Sequence, residues 1–474
     1  MIMKHIKFLA ILMASVLVLA SCGQKVIKTK VPARPAGQED VIGLTADPID
    51  TVRIGVVGLG MRGSFAVYRL SNEPWSKITA VCDVEPDRTD ASAKYLIDHG
   101  FEAPAKYSGE EGYKQLCESD NVDLVYVCTD WVHHVPVALC AMENGKHTAI
   151  EVPSATTLEE CWALVNASEK TRKHCMMLEN CCYDFFELQA LEMARQGVLG
   201  EIIHAEGSYH HNLSDYWHEY WHNWRLAFNA EHKGDIYPTH GLGPITQALN
   251  IHRGDKFRTL VAMETASFNG KASAELYRDS LIKYQGAPVE DFANGDLTMT
   301  TITTENGKTI LVEHDVLNPR PYNRMYQLVG TKGYAAKYPV EQFSLRKEVL
   351  DEIGIKYDSK NFNQHGPLSD DIVAQMRSLY KTPILDDELA EKARTVGGHG
   401  GMDFIMDYRL IYCLHYGLPL DMDVYDLAEW CSIGPLGEIS ILNGNAPVEC
   451  PDFTRGAWKK QNGFRYAFAD GSFK

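Results

Sequence analysis

The feature that most constrains this chain is the stretch Thr51-Val52-Arg53-Ile54-Gly55-Val56-Val57-Gly58-Leu59-Gly60-Met61-Arg62-Gly63. A β-branched apolar run stops at Gly-x-Gly-x-x-Gly and continues into Ser64–Leu70, whose spacing suits a helix. Strand, tight turn and helix start, in that order, form a seat for a dinucleotide pyrophosphate. Gly58 turns where a side chain would clash, Gly60 lets the backbone approach phosphate, and Gly63 lets helix and strand pack closely. The helix N-terminus then offers free N–H groups to the anion. A second apolar run, Ile78–Cys82, ends at Asp83, twenty residues after Gly63. An acid there accepts from ribose hydroxyls and repels a 2′-phosphate, so NAD is favoured over NADP. An Asp83 that only caps the turn before Pro86 is the plainer alternative.

Beyond Asp83, helix and strand alternate: helices near Arg88–His99 and Gly109–Ser119, a buried strand Val122–Cys128, a helix Pro136–Asn144 and a strand His147–Glu151. Such alternation predicts a doubly wound parallel sheet, with its carboxyl-end loops over the cofactor. A helix Leu158–Arg172 and another through Leu188–Gln196 follow. Alternating runs at Ile202–Tyr209, Thr259–Ala266, Leu297–Thr304, Thr309–His314 and Met325–Val329 then predict an open, largely antiparallel sheet, and past Gly330 the chain turns acidic and helical. The fold class expected is α/β: an N-terminal Rossmann domain (51–175) and a C-terminal α+β domain (176–474). A length of 474 residues suits two domains, and a formal charge of −17 argues against nucleic acid.

Residues 1–21 read as a signal sequence, with Lys4, His5 and Lys7 before an apolar run from Phe8 to Ala20. The run ends in Leu19-Ala20-Ser21-Cys22, which resembles a bacterial lipobox. Lipidation of Cys22 would anchor the chain to a membrane of the bacterial cell envelope. An ordinary secretory signal with an incidental cysteine is the alternative. Residues 22–50, without periodicity, read as a tether.

Over roughly residues 51 to 340 the chain resembles the glucose-fructose oxidoreductase and inositol dehydrogenase superfamily, with the strongest motifs in the first half. It has a Thr-x-x-x-x-His loop from Thr129 to His134 and Glu151-Val152-Pro153 where that superfamily has Glu-Lys-Pro. The resemblance implies a Rossmann domain and a second sheet that covers the nicotinamide. It also implies a loss, because the lysine that moves the hydroxyl proton in the sugar dehydrogenases is here Val152.

Between Tyr209 and Asp255 lies a dense set of Trp, Tyr and His around Arg225, including Tyr209-His210-His211, Trp217, Trp221, Trp224 and Tyr237-Pro238-Thr239-His240-Gly241-Leu242-Gly243-Pro244. Flat aromatic faces and forked donors suit a carbohydrate ring. This segment, with Glu179-Asn180-Cys181-Cys182-Tyr183, Arg320-Pro321-Tyr322 and Gly397-Gly398-His399-Gly400-Gly401-Met402-Asp403, resembles glycoside hydrolase family 109, over nearly the whole mature chain.

That resemblance implies an α-N-acetylgalactosaminidase with bound NAD, acting on glycans with terminal α-N-acetylgalactosamine. NAD-dependent glycosidases are an exception to the two-carboxylate rule. Oxidation at C3 acidifies C2–H, elimination expels the C1 oxygen, water adds, and reduction restores the sugar with no net redox change. The resemblance makes His240 the proton-transfer group, with Tyr237 beside it, and Tyr209, Arg225 and Tyr322 further substrate contacts. Met61, Arg62, Asp83, Trp131, His133, His134, Glu151, Val152 and Asn180 match the family's NAD contacts. His399 and Asp403, four residues apart in a glycine-rich stretch, could face the cleft or bind a metal, but two ligands do not make a metal site, and an exposed glycine loop is the plainer reading. A secreted sugar dehydrogenase and an NAD-containing sugar-binding lipoprotein remain the competing readings, and a homo-oligomer is compatible with all three.

Overall fold

Two sheets carry the architecture of the computed structural model, which describes residues 25–278 and 291–474. Residues 1–21 and Cys22, read above as signal and lipidation site, lie outside them.

The first sheet contains β1 (Val52–Val57), β2 (Ser76–Asp83), β3 (Ala105–Ser108), β4 (Leu124–Val127), β5 (His147–Ile150) and β6 (Cys175–Met177). The strands run parallel in the order β3-β2-β1-β4-β5-β6, so the direction of winding reverses between β1 and β4. Helices α1 (Met61–Leu70), α2 (Pro86–Asp98), α3 (Gly112–Glu118), α4 (Trp131–Glu143) and α5 (Leu158–Thr171) connect them. Parallel strands are covered on both faces, which explains the unbroken apolar runs: Leu124 to Val127 are fully buried. α5 starts at a capping box between Thr157 and Glu160.

Sequence and structure differ at three places here. β3 has no apolar signal, because it is an exposed edge strand. α4 begins at Trp131 rather than Pro136, since extended Asp130 precedes it and an early start buries Trp131, His134 and Val135. Pro136 sits inside it, in the second turn, and removes the backbone bond its N–H would have made. Third, β6 (Cys175–Met177) pairs with β5, so the first sheet continues past residue 175.

After α6 (Phe185–Arg195) comes β7 (Ile202–His210), then α7 (Trp224–Glu231), α8 (Thr239–Ala248), β8 (Phe257–Glu264), α9 (Asn269–Leu276), β9 (Thr298–Thr304) and β10 (Thr309–Asp315). β11 (Gln327–Gly330) falls on the alternating run expected at Met325–Val329, whereas β12 (Gly333–Ala336) and β13 (Gln342–Leu345) follow where helix was expected. Only then come α10 (Lys347–Glu352), α11 (Asp370–Leu379), α12 (Asp387–Val396), α13 (Met402–Tyr416), α14 (Val424–Leu442) and β14 (Val448–Glu449). The sheet order is β13-β12-β11-β7-β10-β9-β8-β14, antiparallel except for the β7/β10 pair.

Segment 25–50, expected as a tether, lies along the body of the protein. Val41 is buried, Arg34 pairs with buried Glu169 at 3.0 Å, and Ile27 bridges to Val448. Its spaced apolar residues do not make a periodicity, but Val41 is buried and Ile27, Ile42, Leu44 and Ile49 pack against the core. Among the described residues no helix is long and apolar enough to cross a membrane.

Candidate active site

The glycine turn fits a dinucleotide. A Cβ on Gly58 would lie 2.7 Å from the Cys128 and Thr129 backbone, and one on Gly63 would lie 1.7 Å from Gly58 O. At Gly60 the nearest atom is 3.9 Å away, on Arg88, so that face of the turn is open. α1 starts at Gly60 with no side-chain cap, leaving its first N–H groups for an anion. Asp83 sits behind the turn, accepting from Leu59 N–H (2.6 Å) and Glu85 N–H (2.9 Å), with lone pairs left for hydroxyls. Met61 is half exposed at the start of α1.

The other expected cofactor residues form a charged belt beside the turn. Arg62 bonds Glu151 at 2.9 Å and Asp403 at 3.1 Å. Asn180 donates to Asp403 as well. Burial raises the Asp403 carboxyl, but Arg62, His399 and Arg69 together hold it well below the usual carboxylate range. Val152 is buried and its carbonyl accepts from Trp131 Nε1 at 3.2 Å. His134 is buried between the carbonyls of Pro153 and Thr129, and burial pushes its imidazole down. His133 is exposed and paired with Asp130.

Tyr209, Arg225, Tyr237 and His240 converge. Two glycines make this possible: a Cβ on Gly207 would lie 2.1 Å from Gly241 O, and one on Gly241 would lie 2.7 Å from Ser208 N. Helix α8, which carries His240, therefore rests directly on strand β7, which carries Tyr209. The Tyr209 and Tyr237 rings stack at 4.6 Å. The Arg225 guanidinium is buried among Tyr237 (4.8 Å), Trp131 (5.3 Å), Tyr220 (5.4 Å) and Tyr209 (5.8 Å). A desolvated cation over such faces gains about 2 kcal/mol per good contact. Arg225 donates to Tyr220 Oη at 2.8 Å, and its buried Nε has no hydrogen-bond partner among the described residues. Burial pushes the Tyr209 phenol up to about 12 and Tyr237 well above its ordinary value, so both are neutral donors.

Two histidine–carboxylate couples face this cleft. His240 Nδ1 lies 2.7 Å from Glu179 Oε1, and its Nε2 lies 3.3 Å from Tyr237 Oη. His399 Nδ1 lies 3.0 Å from Asp403 Oδ2 and 3.5 Å from Asn180 Nδ2. Beside the inner couple, His211 Nδ1 lies 2.9 Å from Tyr209 Oη, and its ring meets Tyr322 edge-on at 5.1 Å. Burial and the charges of Arg225, His240 and His399 push its imidazole down to about 4. Tyr322, at 41 % exposure, is the rim of the cleft rather than its floor.

Glu179 is the functional residue the sequence reading passed over, although it was quoted in a motif; its signal is a carboxylate placed directly after a buried strand. His211 and Tyr220 were also unassigned. Glu179, Cys181 and His240 bring their ligand atoms within 4.8 Å of one another. Glu179 already holds the imidazole, and burial keeps the Cys181 thiol protonated, so this set works as a hydrogen-bonded couple. His252, Asp423 and Asp426 form a similar set, in which Arg253 occupies Asp426 at 2.7 and 2.8 Å.

Comparisons with known proteins identify the family and the fold. Residues 52–179 match the family model of the oxidoreductase family, NAD-binding Rossmann fold, and residues 183–460 that of the glycosyl hydrolase 109 C-terminal domain. A glycosyl hydrolase family 109 protein 1 from Phocaeicola vulgatus is 57 % identical over 94 % of this chain and 92 % of its own. A glycosyl hydrolase family 109 protein from Porphyromonas gingivalis is 54 % identical over 95 % of both. Among solved structures, levoglucosan dehydrogenase in complex with NADH and levoglucosan superposes with a TM-score of 0.61 at 17 % identity, over 85 % of this chain and 100 % of that one. Scyllo-inositol dehydrogenase from Lactobacillus casei gives 0.57 at 12 %, over 84 % and 99 %. At those identities the structures show a shared fold.

Proposed function

The chain belongs to glycosyl hydrolase family 109, and from that premise we propose that it releases terminal α-linked N-acetylgalactosamine from glycans by oxidation, elimination, addition and reduction. The observation that carries the reading is the presence of two histidine–carboxylate couples on one cleft, with Val152 where a dehydrogenase keeps its lysine. A dehydrogenase moves one hydroxyl proton per turnover. A hydrolase working through a 3-ketone must also protonate a leaving oxygen and deprotonate a water, and so needs a second station.

Bound NAD supplies a reversible hydride acceptor for C3. His240 takes the C3 hydroxyl proton on Nε2 and later returns it, while the Tyr237 hydroxyl beside it orients the same oxygen. With a ketone at C3 the C2 proton becomes acidic; it passes to a water in the open cleft, giving an enolate that expels the C1 oxygen, and the water that later adds to C1 is matched by return of a solvent proton to C2. His399, at the open side of the cleft, donates its Nε2 proton to that oxygen and then accepts one from the water that adds to C1. Arg225 offers its free Nε–H to a sugar oxygen, and Tyr209 and Tyr322 flank the ring. Glu151, Asn180 and Arg62 hold the cofactor side in place through Asp403.

The lipobox at Cys22 supports export and anchoring in the cell envelope, and the buried belt around Asp403 supports tight NAD retention after export.

The test uses an aryl α-N-acetylgalactosaminide and purified protein in deuterated water. Phenol release with deuterium at C2 of the sugar is expected. Phenol release without C2 label would replace the proposed route by direct displacement. NADH accumulation without phenol would make the protein a sugar dehydrogenase.

A further inference from the structure

We infer that Glu179 is a positioning residue, setting the tautomer and aim of His240 so that the inner proton-transfer couple is assembled from both domains. The inference rests on the reading that His240 moves the C3 hydroxyl proton.

Glu179 follows β6 and ends the stretch that matches the Rossmann family model, whereas His240 lies on α8 of the second domain. The carboxylate is fully buried and Oε1 touches both Nδ1 of His240 (2.7 Å) and the Cys181 N–H (3.2 Å). Burial raises this carboxyl, but the His240 charge, the bond to His240 and the bond from Cys181 outweigh it and hold it below its ordinary value. An ionised carboxylate only accepts, so Nδ1 keeps its hydrogen and Nε2 is left bare toward Tyr237 and the cleft.

Room for the carboxylate is built in. A Cβ on Gly243, one turn along α8 from His240, would lie 2.7 Å from Glu179 Cγ and 3.0 Å from Cys182 Sγ. This gives the second glycine of His-Gly-Leu-Gly a role distinct from that of Gly241, which seats the helix on β7. A buried carboxylate is a costly way to staple two domains, since an apolar pair of the same size does it as well. Its retention makes sense where the partner's proton matters. The other groups facing His240 are Tyr237, the Tyr209 ring at 5.1 Å and the Cys181 thiol, all neutral, with the Arg225 and His211 side chains beyond. Glu179 is thus the carboxylate in direct contact with that imidazole.

The experiment compares NAD-loaded wild type, Glu179→Gln and Glu179→Asp. Four readouts are needed: bound NAD, melting midpoint, kcat and KM on an aryl α-N-acetylgalactosaminide, and C2 deuterium exchange into free N-acetylgalactosamine. Glu179→Gln is expected to lower kcat and C2 exchange together by about 100-fold, with KM changed by less than about three-fold. The acid limb of its kcat/KM profile should move down by about one pH unit, because the imidazolium loses its counter-charge. Glu179→Asp should recover about ten-fold of the loss. A Gln variant with an unmoved acid limb, or one that loses NAD and melts early, would make Glu179 a structural staple and overturn the inference. If wild type itself released no phenol, the functional reading would fall first; an active wild type with an indifferent Gln variant removes only Glu179.

Discussion

The two couples on the cleft are built in opposite ways. Glu179–His240 joins the end of a core strand to a helix N-terminus, with the histidine side chain only 12 % exposed. Asp403–His399 puts an equally buried carboxylate under a histidine that is 53 % exposed, on a loop held by glycines with φ of +88°, +87°, +78° and +111°. A Cβ on Gly398 would lie 2.6 Å from the Asp403 side chain, so the loop closes on the carboxylate only as glycine. Rigid elements suit a group that must stand at one distance from the cofactor and the C3 hydroxyl. A loop suits a group that serves a departing aglycone and then an arriving water.

That division predicts different failures. His240→Asn should be the most damaging change, lowering both C2 exchange and hydrolysis by about 1,000-fold or more, with sugar affinity retained. Retained C2 exchange in this variant would move the oxidation chemistry elsewhere. His399→Asn comes next. His399 has φ of +48°, which asparagine tolerates, so the loop should keep its shape. Hydrolysis of an alkyl α-N-acetylgalactosaminide should fall about 100-fold or more, since its leaving oxygen needs a proton. A nitrophenyl glycoside should lose far less, and C2 exchange should persist. Equal losses on both substrates would erase the distinction between the couples.

How legible these two regions were differs for a physical reason. The glycine turn, Asp83 and the parallel strands were readable because buried strands and close backbone approaches constrain residue type locally. The convergence of Tyr209, Arg225, Tyr237 and His240 followed from family resemblance, and the structure adds the cause, the mutual fit of Gly207 and Gly241. Glu179 was not readable, because its partner lies 61 residues away on another domain. Asp403 looked like part of an exposed glycine loop, yet it is fully buried under Arg62, Arg69 and Asn180. The strands β12 and β13 were hidden by their brevity and by Gly and Lys at their ends. Segment 25–50 read as a tether because contacts made one residue at a time leave no period.

A third change sharpens the comparison by touching the inner couple alone. Gly243→Ala places a methyl against Glu179 and should cost about 1–3 kcal/mol of stability by overpacking. Displacing the carboxylate should lower kcat about ten-fold on alkyl and aryl glycosides alike, unlike His399→Asn. A leaving-group-dependent loss in Gly243→Ala would mean that the two couples are not separable.

The smallest effect is expected at His211, which touches Tyr209 beside the inner couple. Its imidazole value is about 4 in the folded protein, against an ordinary 6.5, so it gains a proton only as pH falls through about 4 and is neutral from pH 5 upward. A neutral ring hydrogen-bonded to the Tyr209 hydroxyl positions that phenol and takes up no further proton in the working range. His211→Asn should therefore raise KM by about three-fold through a looser Tyr209, while the pH–rate profile between pH 5 and 8 stays where it is. Measured over that range with NAD-loaded protein, a displaced acid limb would make His211 a third proton station and replace the two-couple cleft by a relay running from His240 through His211 to His399.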